Sequence, residues 1–194
     1  MNAVTNFLKG RQIGREVKIG AAVKLGRGVK IGSGSRVSLY SQLEDRVSLG
    51  EEVELGCLNI IEKDARIGSR TITGSEVMVD KNAHIGADCR IDQETLIRRE
   101  AKIGREVEIG FDSFIGRECQ IGEQTQIGFM SQIGSSSRVG RGAEIGYQVT
   151  AGRKVVIGVG AKIGPGAYIE DGCIIPSGAT VPKGAHITNP FREK

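Results

Sequence analysis

The sequence predicts an all-β fold, a parallel β-helix whose short strands wind around a triangular prism. Three observations predict it: an aliphatic residue recurs every six positions, a small or β-branched residue precedes it by two, and glycine often follows it. The aliphatic series runs from Ile13 to Ile187 without a slip, and 28 of its 30 positions are Ile, Leu or Val. Thr73 and Ala151 are the exceptions. A fixed period of this kind is typical of a repeat architecture.

Each six-residue unit is interpreted as one short strand and one turn. Two inward positions that are two residues apart suit a strand, because successive side chains alternate between its faces, and glycine suits the turn. Three units would complete a triangular coil, so that each residue stacks on the residue 18 positions later, at about 4.8 Å. About ten coils would then form a rod on the order of 48 Å long, with no substantial helix.

The repeat divides the chain into three parts. We expect an N-terminal cap over residues 1–12, the β-helix over 13–187, and a C-terminal cap or tail over 188–194. The open strand edges at the ends of such a rod need caps to avoid continued stacking. Phe7 and Phe191 are the only aromatic residues on the inward phase. We predict that both plug the ends; the alternative is that they belong to frayed tails.

Composition narrows the class of protein. The 194 residues include no Trp, five Phe and three Tyr, so aliphatic side chains must fill the interior. The net charge of +4 is spread along the chain, which predicts no nucleic-acid partner. We expect a cytoplasmic protein, since no stretch approaches the roughly 20 apolar residues of a membrane span and no signal-peptide pattern is present. The four cysteines lack the CxxC spacing of zinc or redox sites.

Two apolar columns are expected on the outside of the prism. On one face, the residues that precede the aliphatic position in four successive coils are Ile60, Met78, Leu96 and Phe114, and the adjoining turn column holds Leu39, Cys57, Phe111, Phe129 and Tyr147. A contiguous apolar patch on a protein surface marks an interface, and closed self-assembly is its commonest use. We predict an interface between copies of the chain. A different partner protein and an acyl ligand along the groove are the alternatives.

A column of basic residues is expected at the opposite edge of the same face. This basic ladder consists of Lys63, Lys81, Arg99 and Arg117, followed after Ser135 by Arg153. It is a candidate anion site for the phosphates of coenzyme A or a nucleotide. The alternative is a solvated edge that Asp64, Glu100 and Glu118 partly neutralise.

The hexad pattern resembles the hexapeptide-repeat superfamily, whose left-handed parallel β-helices include acyltransferases and γ-class carbonic anhydrases. The resemblance covers nearly the whole chain, and it implies the left-handed coil and a homotrimer with parallel axes. It further implies that an enzyme of this group holds a histidine base in a cleft between subunits and extrudes a loop to close the site. The unbroken phase from Ile13 to Ile187 leaves no room for such a loop here.

One segment resembles the surroundings of a catalytic base. Residues 82–89 read Asn-Ala-His-Ile-Gly-Ala-Asp-Cys, similar to the Asn-Ala-His-Ile-x-His-Asp-Cys of UDP-N-acetylglucosamine acyltransferases. The second histidine, the base in that family, corresponds to Ala87, whereas His84 matches the first. His84 is a candidate base near Lys81, beside an apolar face that could hold an acyl-phosphopantetheine arm. The alternative is a surface or interface histidine.

The sequence gives less support for a metal site or for nucleotide-binding or hydrolase chemistry. His84 and His186, the two histidines, are 102 residues apart, which is between five and six coils or on the order of 25 Å, so they cannot share a metal ion. No nucleotide-binding or hydrolase motif is present. We therefore expect a noncatalytic homotrimeric scaffold or binding protein without a cofactor. The alternative is an atypical coenzyme A-dependent acyltransferase that acts on a sugar or an amine, with His84 as general base.

Overall fold

Every strand within the described part of the chain is two residues long. A computed structural model describes residues 10–188 and places thirty strands there in three parallel sheets of ten. Sheet A contains Gln12–Ile13, Lys30–Ile31, Ser48–Leu49, Arg66–Ile67, His84–Ile85, Lys102–Ile103, Gln120–Ile121, Arg138–Val139, Val156–Ile157 and Ile174–Ile175. Sheet B contains Lys18–Ile19, Arg36–Val37, Glu54–Leu55, Ile72–Thr73, Arg90–Ile91, Glu108–Ile109, Gln126–Ile127, Glu144–Ile145, Lys162–Ile163 and Thr180–Val181. Sheet C contains Lys24–Leu25, Gln42–Leu43, Ile60–Ile61, Met78–Val79, Leu96–Ile97, Phe114–Ile115, Gln132–Ile133, Thr150–Ala151, Tyr168–Ile169 and His186–Ile187.

The pairing register confirms the 18-residue coil. His84 pairs with Lys102 and Ile85 with Ile103, and the same offset holds from the first strand pair to the last. The chain passes from sheet A to B to C and then starts the next coil, which gives ten coils and no helix within residues 10–188. The predicted all-β triangular prism is confirmed. Phe7 and Phe191, the predicted end plugs, lie outside the described residues.

Each of the three sheets contributes two stacked columns of side chains to the interior of the prism. The second residue of each strand points inward, and the aliphatic ones from Leu25 to Val181 are buried. The small residue two positions earlier is also buried through most of the rod, and both columns belong to one continuous apolar core. Because each coil adds the same few side chains, burial depends on a neighbouring coil on each side. Ile13 and Ile187, in the end coils, are accordingly only half-buried.

Many of the small inward residues are polar, yet they satisfy their hydrogen-bonding groups. The Ser35 hydroxyl donates to the Gly50 carbonyl over 3.0 Å, and Ser137 donates to Gly152 over 3.0 Å. Each bond reaches a corner carbonyl in the coil above, 15 residues further along the chain. Serine, threonine and cysteine at this position therefore tie one coil to the next. No buried side-chain nitrogen or oxygen among the described residues lacks a partner.

Thr73 breaks the aliphatic pattern because it pairs with a buried amide. The Asn59 side-chain nitrogen donates to the Thr73 hydroxyl over 2.6 Å, and the Asn59 side-chain oxygen accepts from the Val77 backbone N–H over 2.7 Å. Both polar side chains lie inside the prism. A buried amide without partners would be destabilising, so the hydroxyl at position 73 and the asparagine at position 59 are coupled.

The corners contain two positions with different structural requirements, which the sequence pattern attributes to one glycine. The left-handed backbone conformation falls three residues after the aliphatic position, where thirty residues have φ between 52° and 80° and 21 of them are not glycine. The glycine directly after the aliphatic residue serves a close approach instead. A Cβ at Gly104, for example, would lie 2.6 Å from the Glu123 backbone nitrogen in the next coil.

This difference gives the first prediction. Gly104→Ala should lower the free energy of unfolding by about 3 kcal/mol, the upper range for overpacking, because the coils must move apart. Gly142→Ala should cost only about 1 kcal/mol, the penalty of a left-handed alanine, since its Cβ would meet nothing within 4 Å. Urea unfolding monitored by circular dichroism measures both. Equal losses would contradict the assignment of the two glycine roles.

The Asn59–Thr73 pair gives the second prediction. Thr73→Val keeps the shape of the side chain but removes a hydrogen-bond partner of a buried amide, and it should cost about 1–3 kcal/mol. Adding Asn59→Ser should recover part of that loss, because a serine there can donate to the Gly74 carbonyl as Ser35 does to Gly50. Chemical denaturation of the two variants tests this order. A double variant less stable than Thr73→Val would refute the coupling.

Candidate functional site

The basic ladder occupies the corner between sheets C and A. Lys63, Lys81, Arg99 and Arg117 follow strands 60–61, 78–79, 96–97 and 114–115 of sheet C, so that each stands one coil above the last. The next strand of the chain then enters sheet A, where His84 is the first residue of strand 84–85. The structure thus brings Lys81 and His84 to adjoining surfaces of one coil.

Most charges of the basic ladder are not neutralised. Lys63, Lys81 and Arg117 form no ion pair within 4.0 Å with another described residue, whereas Arg99 lies 3.8 Å from Glu100 and Arg153 lies 2.8 Å from Asp171. Two carboxylates that the sequence offered as neutralising partners bond elsewhere. Asp64 pairs with Arg46 at 2.7 Å, and Glu118 accepts from the Ser136 hydroxyl at 3.5 Å. The ladder therefore keeps more of its positive charge than the sequence alone indicated.

Carboxylates do lie beneath the ladder, but they bond to its backbone. Glu44 accepts from the Lys63 N–H at 3.2 Å, and Glu62 accepts from the Lys81 N–H at 3.1 Å. These bonds satisfy the backbone N–H groups of Lys63 and Lys81, which point along the axis of the rod at the corner. They hold the backbone while both ammonium groups stay exposed.

Sheet A carries a second column of positive charge, which sequence reasoning missed. Arg66 and Lys102 pair in register with His84 from below and above, and Arg138 stands two coils higher than Lys102. We call Arg66, His84, Lys102 and Arg138 the cationic face. None of the ten outward residues of sheet A is acidic. Sheet B is different, since three of its four outward cations pair with carboxylates, as Lys162 does with Glu144 at 2.8 Å.

His84 is the titratable centre of the cationic face. Partial desolvation, followed by the charges of Arg66 and Lys102, holds the pKa of its imidazole below the usual value of 6.5. The ring is therefore mainly neutral at pH 7. A neutral imidazole on the surface of a β-sheet can accept a proton from a bound hydroxyl or ammonium group.

A shallow groove runs up sheet A from the coil above His84. Its volume is about 580 Å³, and its walls include Lys102, Gln120, Arg138, Arg141, Val156, Val159 and Ser177. Cations line its lower part, and exposed valines line its upper part. His84 is not among the lining residues. Within one chain, the described residues therefore do not enclose the histidine in this groove.

The apolar columns lie where the sequence placed them. Ile60, Met78, Leu96 and Phe114 pair in register on sheet C and are half-buried. At the corner between sheets B and C, the Phe111 and Phe129 rings stack with centroids 5.1 Å apart, and Phe129 and Tyr147 stack at 4.9 Å. The assignment of these residues to an interface stays a prediction.

The apolar turn column, which lies at the corner between sheets B and C, is divided into two patches. Ser75 and Gln93 separate Leu39 and Cys57 from the three stacked aromatic rings. The residues that carry the left-handed corners enlarge each patch, and they are Tyr40 and Leu58 in the first and Met130 in the second. Sequence reasoning missed these three because it followed only one position of each turn.

The second histidine has a separate environment. The His186 Nε2 atom lies 3.3 Å from a carboxylate oxygen of Glu170, and its ring meets the Tyr168 ring edge-on at 5.0 Å. It lies on sheet C, whereas His84 lies on sheet A. No group of three potential metal ligands occurs among residues 10–188. The same part of the chain contains no helix that could span a bilayer.

The cationic face gives the third prediction. Lys102→Gln should raise the pKa of His84 towards its ordinary value, because one of the two neighbouring positive charges is removed. Proton NMR titration of the imidazole measures the shift, with a His186→Gln background for assignment. Lys162→Gln on sheet B is the matched control and should leave the titration unchanged. An unchanged pKa in Lys102→Gln would show that the two side chains do not interact.

The same shift predicts a pH dependence of stability. Because the folded pKa of His84 is lowered, unfolding binds a proton, and the stability present above the unfolded pKa of about 6.5 is lost as pH falls through the folded value. His84→Gln should flatten this part of the profile of unfolding free energy against pH. A profile identical to that of the wild type would exclude His84 as its cause.

No family model and no curated protein matches the chain, but solved structures match its fold. The UDP-N-acetylglucosamine O-acyltransferase of Moraxella catarrhalis superposes with a TM-score of 0.80 at 18% identity, over 83% of this chain and 69% of that one. A second UDP-N-acetylglucosamine acyltransferase gives 0.65 at 16% identity, over 82% and 68%. The Campylobacter jejuni enzyme gives 0.60 at 14% identity, over 81% and 64%.

Each superposition covers about two thirds of the longer protein. At such low identity, the similarity concerns the backbone architecture. The coil length, the three parallel sheets and the ten-coil rod agree with it. The chain has the left-handed parallel β-helix fold of these acyltransferase structures.

Proposed function

We propose that the protein is a coenzyme A-dependent acyltransferase of an atypical kind, acting on a sugar or an amine with His84 as the general base. The observation that carries the proposal is the position of His84, which Arg66 and Lys102 flank in register on a sheet with no acidic outward residue. The acyltransferases of similar fold support the same class of reaction. The proposal differs from the scaffold function that we expect from the sequence.

The charges suit the polar end of the donor substrate. Coenzyme A carries phosphates, and arginine and lysine side chains bind phosphate through charge-assisted hydrogen bonds. Lys81 and Arg99 on the basic ladder stand in the coil of His84 and the coil above it. Arg66 and Lys102 flank His84 on the cationic face, and no outward residue of sheet A is acidic. Phosphates bound at this corner would leave the thioester end of the pantetheine arm free to extend towards His84.

The chemistry assigned to His84 is a single proton relay. The acceptor hydroxyl or amine loses a proton to the imidazole as it attacks the thioester carbonyl. A bond forms between the acceptor atom and the acyl carbon, and the carbon–sulfur bond breaks. The leaving thiolate then takes the proton from the imidazolium, which restores neutral His84.

Self-association would complete the cleft. We propose a homotrimer that buries the apolar columns of sheet C and the adjoining corner, where Phe111 and Tyr147 stay 36% and 37% exposed in the single chain. A neighbouring subunit would then enclose the open surface beside the basic ladder. Exclusion of water there would strengthen each charge interaction.

A noncatalytic trimeric scaffold is the second candidate. Regular corners across residues 10–188 leave no extruded loop in that range, and Ala87 occupies the position of the base in the similar sequence motif. If the apolar columns form a dry seam along their whole length, no acyl arm can lie on them. The two candidates therefore differ in whether coenzyme A binds.

The fourth prediction is tested by calorimetric titration with coenzyme A and acetyl-coenzyme A. The wild type should show saturable binding, and Lys81→Ala/Arg99→Ala should weaken it tenfold or more, because two charged phosphate contacts are lost, each worth about 1.5–3 kcal/mol. Arg36→Ala/Arg90→Ala on sheet B removes the same number of charges elsewhere and should leave the affinity within about twofold.

His84→Ala separates binding from catalysis. It should leave the affinity for coenzyme A near that of the wild type but lower the release of thiol from acetyl-coenzyme A, measured against a panel of amino sugars, by about 10²–10⁴-fold. Absence of any heat at millimolar ligand, from a folded trimer, would reject the enzyme and favour the scaffold. Binding with unchanged turnover in His84→Ala would reject His84 as the base.

A further inference from the structure

The strand hydrogen bonds between coils have one direction along the rod. Strand N–H groups of each coil donate to carbonyls of the coil above, as Val156 does to Cys173 over 2.9 Å and Gly158 to Ile175 over 2.8 Å, whereas corner N–H groups donate to the coil below, as Gly178 does to Val159 over 2.8 Å. The strands of the last coil would therefore offer donors to any further coil, and the strands of the first coil would offer acceptors. Two such ends are complementary, and head-to-tail contacts of this kind produce open filaments.

Proline replaces glycine at two donor positions of the last coil. After the aliphatic residue of sheet A, nine successive coils have glycine, and the tenth has Pro176. The corresponding donor position after sheet B is Gly164 in the ninth coil and Pro182 in the tenth. Proline has no N–H, so this end lacks two donors that every added coil would need.

Pro176 also occupies the space of an added coil. A Cβ at Gly158 would lie 2.3 Å from the Ser177 backbone nitrogen of the coil above. Because coils repeat at constant spacing, a ring at position 176 would meet the backbone of a further coil in the same way. At the position equivalent to 182 the rod accommodates the side chains of Ser38 and Asp92, so Pro182 acts through its missing donor. The block at Pro176 is therefore steric as well as chemical.

The opposite end has a cap of matching chemistry. The Arg11 side chain donates to the Leu25 carbonyl and, over 2.9 Å, to the Gly26 carbonyl. In higher coils the carbonyl corresponding to that of Leu25 accepts a strand N–H from below, as Leu43 does from Gly26. The guanidinium thus takes an acceptor that a second rod would need.

We propose that Pro176, Pro182 and Arg11 seal the two ends of the rod against end-to-end stacking with a second copy of the chain. The last coil lacks the N–H donors at Pro176 and Pro182. In the first coil, the Leu25 carbonyl already accepts a hydrogen bond from Arg11. Association through the sides of the rod stays open to copies of the chain. This inference is independent of the proposed function, since it applies equally to an enzyme and a scaffold.

The fifth prediction concerns the variant Arg11→Ala/Pro176→Gly/Pro182→Gly. It should form species whose molar mass rises with concentration to at least about twofold that of the wild type, because the complementary ends can pair. Light scattering after size-exclusion chromatography measures the mass, and electron microscopy should show rods lengthened along their axis. Pro165→Gly, which changes a proline inside the rod, should keep the mass of the wild type.

Two results would overturn the proposal: an unchanged mass of the triple variant up to its solubility limit, or equal growth of the wild type and Pro165→Gly. If circular dichroism shows that the triple variant loses its β-structure, Pro176→Gly/Pro182→Gly, which keeps Arg11, is measured in its place. That pair restores both N–H groups and removes the ring of Pro176 that would meet a further coil, and the same two outcomes decide.

Discussion

The hydrogen-bonded contact of each coil with the next is the constraint on which this structure depends. A two-residue strand cannot be stable alone, because it buries too little surface to offset the ordering of its backbone. Stacking at an offset of 18 residues gives every such strand inside the rod two partners and places like side chains above one another. The close approach at Gly104 and its equivalents, the hydroxyl bonds from Ser35 and its equivalents, and the left-handed corners all serve this stacking.

The same stacking turns local sequence into surface columns. A charge at one position meets the charge 18 residues away at strand spacing, so a column of like charges repels unless a ligand or counter-charge compensates it. Sheet B alternates basic and acidic residues in several coils, and Arg36 pairs there with Glu54 at 3.9 Å. Sheet A has no acidic outward residue, and its cations surround His84. That difference, more than the histidine itself, distinguishes the candidate site from an ordinary face of the rod.

The candidate site was only partly predictable. The position of His84, the basic ladder and the apolar columns followed from counting in sixes and eighteens. The cationic face could have been found in the same way, but Arg66, Lys102 and Arg138 were not compared as a column. The repeat does not predict which carboxylate pairs with which cation. Asp64 bonds to Arg46 in the coil below, whereas Arg99 lies beside its own chain neighbour Glu100. Such choices depend on side-chain geometry at the corners.

The sequence by itself determined the architecture, since a hydrophobic period of six is compatible with strands and turns but not with a helix, and since the period never slips. It also determined which residues face inward. Only the tertiary structure showed how the polar Thr73 is accommodated in the aliphatic column. It also showed which corner position has the left-handed conformation and which one needs glycine for a close approach, and how Arg11 caps carbonyls of the first coil. Those features depend on contacts between residues about 14 to 19 positions apart, where a few tenths of an ångström separate a hydrogen bond from a clash.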